Sequence, residues 1–564
     1  MSTGELSEPR MDAPMKLVEI FASLQRAPED PQALAALRKA FQTPDPELAA
    51  YQQAYRPDCH AALSAVLRRG GGFSNDVWSL ATAQVCARHG LNGASVPVTA
   101  ELLAALAADP LCGLVLTETF NKSLLLEHCL THARRLLLGL HAQGSLPASL
   151  RPLLVAMAQQ SFNNEFVWAV AEDEEHAVAA LSEELGQVLR TGEVSAAELP
   201  LLLYALYQPL AAHPESDRLA ALPLSQFASD LHPLLTRTLL EPRREAELRG
   251  SVPTLAGIED TVSRSVRAQY EESPYPRWLR FTKAPQSVEQ GIQRIRPGFA
   301  WSQDFCGEPL QVLVAGCGTG QHSLQVAMGN PEAEVLAVDL SSASLAYAMR
   351  MTARYGVRNV TFLQGDLLAL PRLGRKFHHI ECAGVLHHIK DHAAAWAVLA
   401  DCLHPGGTLR IGVYSKVARL LVSHLRACIQ REGVGMTPAE VRRFRARLIA
   451  DREWASLLPL LVRANDFFSL SMVRDFLFHV QEHQYTVDEI ETIARRLGLE
   501  LLGVEFPRVL RERAGMKPAD ESPIATFAQW RAAERAYVGS LRMFQFWLQK
   551  ATPAEPESCR GQGH

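Results

Sequence analysis

From Gln311 onward, short apolar runs alternate with stretches of helical periodicity, and very few folds accommodate that alternation. The runs are Gln311 to Ala315, Glu334 to Asp339, Val360 to Gln364, Phe377 to Cys382 and Gly407 to Val413. Strands buried on both faces read as continuous apolar runs, and each parallel pair needs a crossover helix. The expected architecture is therefore α/β, a Rossmann-like sheet. After Lys416 the alternation stops. Capping boxes at Thr437 with Glu440 and at Thr486 with Glu489 announce helices. A helix from Val487 to Leu497 should lead to a strand, Leu499 to Phe506, and Met543 to Trp547 should supply the last strand.

The chain has 564 residues, too many for one hydrophobic core. Its first half carries helical spacing, as in Leu124, Leu125, Cys129, Leu130, Ala133, Leu136, Leu137 and Leu140. The expected division is a disordered tail (1–15), an all-helical docking or dimerisation region (16–250) and a connector (251–305). A nucleotide-binding core (306–416), a helical insertion or cap (417–485), the C-terminal completion of the core (486–550) and a second tail (551–564) follow. Phe162, Phe166 and Trp168 should be core, with Asn163, Asn164 and Glu165 capping or cross-linking helices. The connector contains Tyr270 to Trp278, where Pro274 and Pro276 stop a helix.

A net charge of -5 exerts no pull on nucleic acid. The ten cysteines contain no C-x-x-C pair, which fits reduced thiols in a cytoplasmic protein. No apolar run is long enough to span a membrane, and the N-terminus has no leader pattern.

The chemistry concentrates where the first run meets glycines, Val312-Leu-Val-Ala-Gly-Cys-Gly-Thr-Gly320. Glycines there admit a close ligand, and the following helix offers unpaired N–H groups. Asp339 closes the second run, the usual place for a carboxylate gripping ribose hydroxyls. A dinucleotide fingerprint would need glycine at 321, and Gln321 stands there. The third run ends in Gly365-Asp366, the fourth in Cys382-Ala-Gly-Val-Leu-His-His-Ile389, and His404-Pro-Gly-Gly407 feeds the fifth.

These four elements, in this order, resemble the class I S-adenosylmethionine-dependent methyltransferases. The resemblance implies that Gly316, Gly318 and Gly320 line the methionine end of S-adenosylmethionine. It also implies that Asp339 with Leu340 holds the ribose, that Asp366 and Leu367 hold the adenine, and that Gly384 borders the cofactor. Two departures are Val314, where the family often has an acid, and His378, where Asp is common. The segments Tyr270 to Trp278, Phe162 to Trp168, Phe476 to Thr486 and Phe544 to Lys550 resemble a bacterial methyltransferase group often fused to tetratricopeptide repeats, although no 34-residue recurrence is visible.

His387 and His388 follow the fourth strand, where substrate and cofactor would meet, and either could serve as a base. His479-Val-Gln-Glu-His483 has the H-x-x-E-H order of zinc proteases, but no third ligand is spaced for it, so no metal is expected. It reads instead as a helix whose His479, Glu482 and His483 reach one pocket. Arg442, Arg443, Arg445 and Arg447 read as a solvated face. Tyr275 in the connector and His479 in the insertion should roof the acceptor pocket. Ala383 to Leu386 replace the motif of base-methylating enzymes, so the expected acceptor is a protein or a small molecule. An inactive binding or scaffold protein and a nucleotide-linked oxidoreductase remain the alternatives.

Overall fold

The computed structural model describes residues 15–41, 46–69, 73–92, 96–255, 257, 260–281, 284–301, 305, 307–516 and 522–552. Both expected tails and part of the connector lie largely outside them. The chain divides into two compact units, residues 1–239 with 279–283, and residues 240–278 with 284–564.

Among the described residues the first unit is helical throughout. The helix Leu124–Ala142 buries Leu126, Cys129, Leu130, Ala133, Leu137 and Leu138, whereas Leu125 is exposed. Asn163 and Asn164 cross-link helices as expected: Asn163 donates to the carbonyls of Thr117 and Thr119, and Asn164 to that of Asn121. Phe162 and Trp168 are buried, but Phe166 is only half-buried, and Glu165 and Phe166 both have positive φ (54° and 56°). No single described helix is long and apolar enough to cross a membrane.

The second unit is built on one seven-stranded sheet, β1 (Gln311–Ala315), β2 (Glu334–Asp339), β3 (Val360–Gln364), β4 (Phe377–Ala383), β5 (Leu403–Tyr414), β6 (Leu499–Val504) and β7 (Met543–Lys550). Their order is β3-β2-β1-β4-β5-β7-β6. β1 to β5 run parallel, and β7 lies antiparallel between β5 and β6. The first strand pairs on both sides, so its Val312, Leu313, Val314 and Ala315 are all buried. The order reverses between β1 and β4, which puts the crevice of a doubly wound sheet at the carboxyl ends of these two strands. His378, one of the family departures, sits at the opposite end of β4, where its Nδ1 accepts the Gln311 N–H at 2.9 Å.

Two elements from outside the sheet fasten onto it. The helix Glu241–Arg249 grips the helix Ser342–Tyr355 through Arg350, whose guanidinium meets Glu241 at 3.1 Å and Glu245 at 2.7 Å. Residues 253–255 extend the sheet edge, the Leu255 N–H donating to the Gln364 carbonyl and the Gln364 N–H to the Pro253 carbonyl, each at 2.8 Å.

The insertion contains the helices Leu420–Glu432, Pro438–Ala450 and Leu470–Phe478. The Thr437–Glu440 capping box forms. At Thr486 only half of the expected box forms: the hydroxyl accepts the Glu489 N–H, while the Glu489 carboxylate turns to His483. The arginine face is not uniformly solvated either. Arg445 is buried, donating to the Phe467 carbonyl at 2.7 Å.

The segment His479 to His483 is not a helix. The helix ends at Phe478, and His479 is extended (φ -58°, ψ 134°). The cause is Glu482, whose carboxylate takes Arg419 Nε at 3.2 Å and Arg426 at 3.0 Å, with 3% of its side chain exposed. Removing one partner of such a buried pair strands a charge away from water, at roughly 3–5 kcal/mol. Glu482→Ala should therefore lower the unfolding free energy of the second unit, read from its denaturant transition, by an amount of that order, and a shift within the ±0.5 kcal/mol typical of surface positions would contradict it.

Candidate functional site

The turn after β1 is shaped by its neighbours. Gly318 adopts φ +52°, which side-chain-bearing residues avoid, and a Cβ there would lie 2.7 Å from the Tyr275 carbonyl oxygen. Gly316 and Gly320 are hemmed in as tightly, by Val385 at 2.2 Å and by Ala348 at 2.5 Å. All three glycines thus stand where protein already comes close. The strand end fixes the loop, because Asp339 accepts the Gly318 N–H at 2.8 Å and the Ser341 N–H at 2.9 Å. Desolvation pushes the Asp339 carboxyl up to about 6, against the pull of these two amides.

The other sequence-expected contact residues line the same carboxyl edge. Leu340 offers its carbonyl to Gln364 at 2.9 Å. Asp366 caps the short helix Leu367–Leu373 through the Leu368 N–H, also at 2.9 Å, and Leu367 is buried. Gly384 has φ +82°, and a Cβ added there would meet nothing within 4 Å.

The connector lies directly on the glycine loop. Thr319 donates to the Pro276 carbonyl, and Trp278 Nε1 donates to the Thr319 carbonyl at 3.0 Å. At its start, Glu271 accepts from the Ser342 and Ala343 amides at 2.7 and 3.2 Å, which ties the connector to the helix after β2.

From this anchor the connector reaches into the insertion. Tyr275 donates to Asp466 at 3.1 Å, and Tyr270 donates to Asp475 at 2.6 Å. Tyr414, at the end of β5, meets the second oxygen of Asp475 at 3.5 Å. His479 Nδ1 accepts the Gln481 N–H at 3.1 Å, which places the ring proton on Nε2, 3.2 Å from Tyr270 Oη. Burial pushes the Asp475 carboxyl up to about 7, and the charge of Asp466 adds to this, with the Tyr270 bond opposing.

The two histidines after β4 differ. His387 Nδ1 accepts the Tyr414 N–H at 3.3 Å, so its proton sits on Nε2, which has no partner among the described residues. His388 is the reverse: Nδ1 meets the Gln481 carbonyl at 2.7 Å, leaving Nε2 as a lone pair. Burial lowers both rings well into the neutral form, His388 to about 4. His388 stacks on His479 with centroids 3.5 Å apart.

Of the three groups expected to meet in one pocket, only His479 joins this cluster. Glu482 is held by Arg419 and Arg426, and His483 pairs with Glu489 at 2.7 Å. Sequence reasoning missed Asp466, Asp475 and Tyr414. Asp475 left a signal: with Arg474 it interrupts an apolar run, Phe467 to Val480, at positions where a charge is costly unless it is partnered.

Residues 312–407 match the family model described as a methyltransferase domain. The chain is 32% identical over 272 residues to an uncharacterised protein of Synechococcus sp., covering 44% of this chain and 61% of that one. It is 36% identical over 103 residues to trans-aconitate 2-methyltransferase of Deinococcus radiodurans, covering 18% and 37%. The chain thus spans less than two thirds of these relatives' lengths. Among solved structures, PKMT2 from Rickettsia typhi aligns at 19% identity and a TM-score of 0.36, covering 47% of this chain and 52% of that one.

A carboxyl whose folded value stands above its ordinary one makes the fold less stable as pH rises from the unfolded value to the folded one. For Asp475 that window runs from 3.8 to about 7. Stability of the second unit should fall across it, and Asp475→Asn should flatten the fall. An unchanged profile in the variant would show that Asp475 ionises as it would in water.

Proposed function

We propose that the chain is an S-adenosylmethionine-dependent methyltransferase whose acceptor, a protein or a small molecule, is enclosed by the connector and the insertion. The observation that carries this reading is the seating of the Tyr275 carbonyl against Gly318, together with the tyrosine–aspartate bonds that join the same connector to the insertion. A bare nucleotide-binding core would leave a bound methyl group facing water, and these two segments are the cover.

The residues present suit the cofactor. Asp339 spends one bond on the loop and one on Ser341 and retains lone pairs for ribose hydroxyls, with Leu340 beside it. Asp366 and Leu367 would take the adenine, and Gly316, Gly318, Gly320 and Gly384 the methionine end. When bound, S-adenosylmethionine supplies an electrophilic methyl group. The protein then has to align the acceptor, exclude water and accept a proton. Tyr275 and His479 orient the acceptor, and His388, which keeps a lone pair on Nε2, is better suited than His387 to take the proton. His387, with its proton on Nε2, is a donor. The helical unit would dock a polypeptide acceptor or form a homodimer.

Val314 favours a second reading, a binding or scaffold protein on the same fold, since β1 brings no acid to the loop. Glu381, its register partner on β4, is engaged by Arg410, His322 and His379. Turnover of labelled methyl donor with a fractionated lysate separates the two readings.

Gly318→Leu should abolish binding of S-adenosylhomocysteine measured by calorimetry, because the side chain would displace the Tyr275 carbonyl. Asp339→Ala should weaken it at least tenfold, charge-assisted bonds being worth about 1.5–3 kcal/mol each. Wild-type affinity in both variants would remove the cofactor from this loop. Tyr275→Phe and His479→Ala should cut methyl transfer while S-adenosylhomocysteine affinity changes less than twofold; equal losses in both would make the two residues structural.

A further inference from the structure

His392, His483 and Glu489 come from three separate elements and meet at one point. His392 opens the helix His392–Asp401, His483 lies in the extended stretch after Phe478, and Glu489 is in the first turn of the helix Val487–Arg496. Each presents an atom able to ligate a metal, and these atoms all lie within 4.8 Å of one another.

Four further observations give the group a direction. His392 Nδ1 is buried with no hydrogen-bond partner among the described residues. The two imidazoles stack with centroids 4.0 Å apart and planes 19° from parallel, an arrangement that two cations would not hold. The Glu489 carboxylate leaves the capping box that its position invites and meets His483 Nε2 at 2.7 Å. Side-chain exposures of 31% for His483 and 32% for Glu489 leave the group open to solvent on one side.

We propose that His392, His483 and Glu489 bind one divalent transition-metal ion, zinc being the natural choice for two imidazoles and a carboxylate, with water completing the coordination. His483 ligates as a neutral imidazole through Nε2 with its ring proton carried on Nδ1, and Glu489 ligates as the carboxylate. The ion acts as a staple. The His483 amide donates to the His387 carbonyl at 2.7 Å, so fixing His483 also fixes the turn that carries His387 and His388.

A second cluster, His388, Asp475 and His479, satisfies the same distance criterion. Two of its three ligand groups are already used: Asp475 accepts from Tyr270, and His479 Nδ1 accepts the Gln481 amide, leaving Nε2 protonated.

The test needs neither methyl donor nor acceptor. Full-length chain treated with chelator and dialysed is titrated with zinc by calorimetry and with cobalt by visible absorption, and its melting temperature is followed. One equivalent should bind and raise the melting temperature. Glu489→Gln, which keeps the shape of the side chain, should weaken zinc at least tenfold, and a His392→Ala/His483→Ala double variant, checked for folding by circular dichroism, should lose the equivalent. His479→Ala should retain it. No binding to the wild-type chain would overturn the proposal, as would binding that survives the double variant or disappears with His479→Ala.

Discussion

The second unit depends on one close approach, the Tyr275 carbonyl against the α-carbon of Gly318. Asp339 fixes the loop from below by accepting the Gly318 amide, and Thr319 and Trp278 fix the connector from above. A chain segment so placed cannot be a passive linker, because its backbone is packed at the mouth of the crevice that the sheet topology creates. The same contact requires glycine at 318. Any side chain would have to push away a backbone carbonyl, and backbone held at both ends does not yield cheaply.

What the connector reaches is a polar cluster sunk in apolar surroundings, and its partners match closely. Arg419 lies 3.8 Å over the Tyr414 ring and pairs with Glu482, leaving Asp475 to the hydroxyls of Tyr270 and Tyr414. Buried polar groups left single would each cost free energy, whereas a connected set specifies one arrangement of connector, strand end and insertion. The exception is His387, whose protonated Nε2 has no partner among the described residues.

The sheet was legible to a degree that the insertion was not. The first three strands begin and end where the apolar runs do, since buried parallel strands have no polar face to blur their limits. The later strands depart from their expected limits: β5 starts at Leu403, before the glycines of the turn that was expected to precede it, β7 continues to Lys550, and β6 stops at Val504, short of Phe506. The glycine motif was legible because φ above zero is written in residue type, although its neighbours prove to be Val385, Tyr275 and Ala348. Reading His479 to His483 as a helix failed because spacing alone cannot reveal that Glu482 has two arginine partners more than fifty residues earlier in the chain. Asp475 was overlooked for a related reason: one carboxylate in an apolar helix looks like a surface residue until its tyrosine partners are in place.

The protonation of Asp475 bears on how the connector is held to the insertion. With its carboxyl pushed up to about 7 by burial, the group holds its proton far more readily than a surface carboxylate does, and Tyr270 can donate to it in either state, most strongly to the carboxylate. Ionisation therefore tightens the bond that holds the connector to the insertion while raising the cost of keeping that carboxylate away from water. The two effects oppose each other within one side chain. A proton delivered to this cluster would relieve the buried charge and loosen the Tyr270 bond together. Protonation of Asp475 and the grip of the connector on the insertion are thus linked, because that carboxylate makes no ion pair with Lys or Arg among the described residues and Arg419 is paired with Glu482.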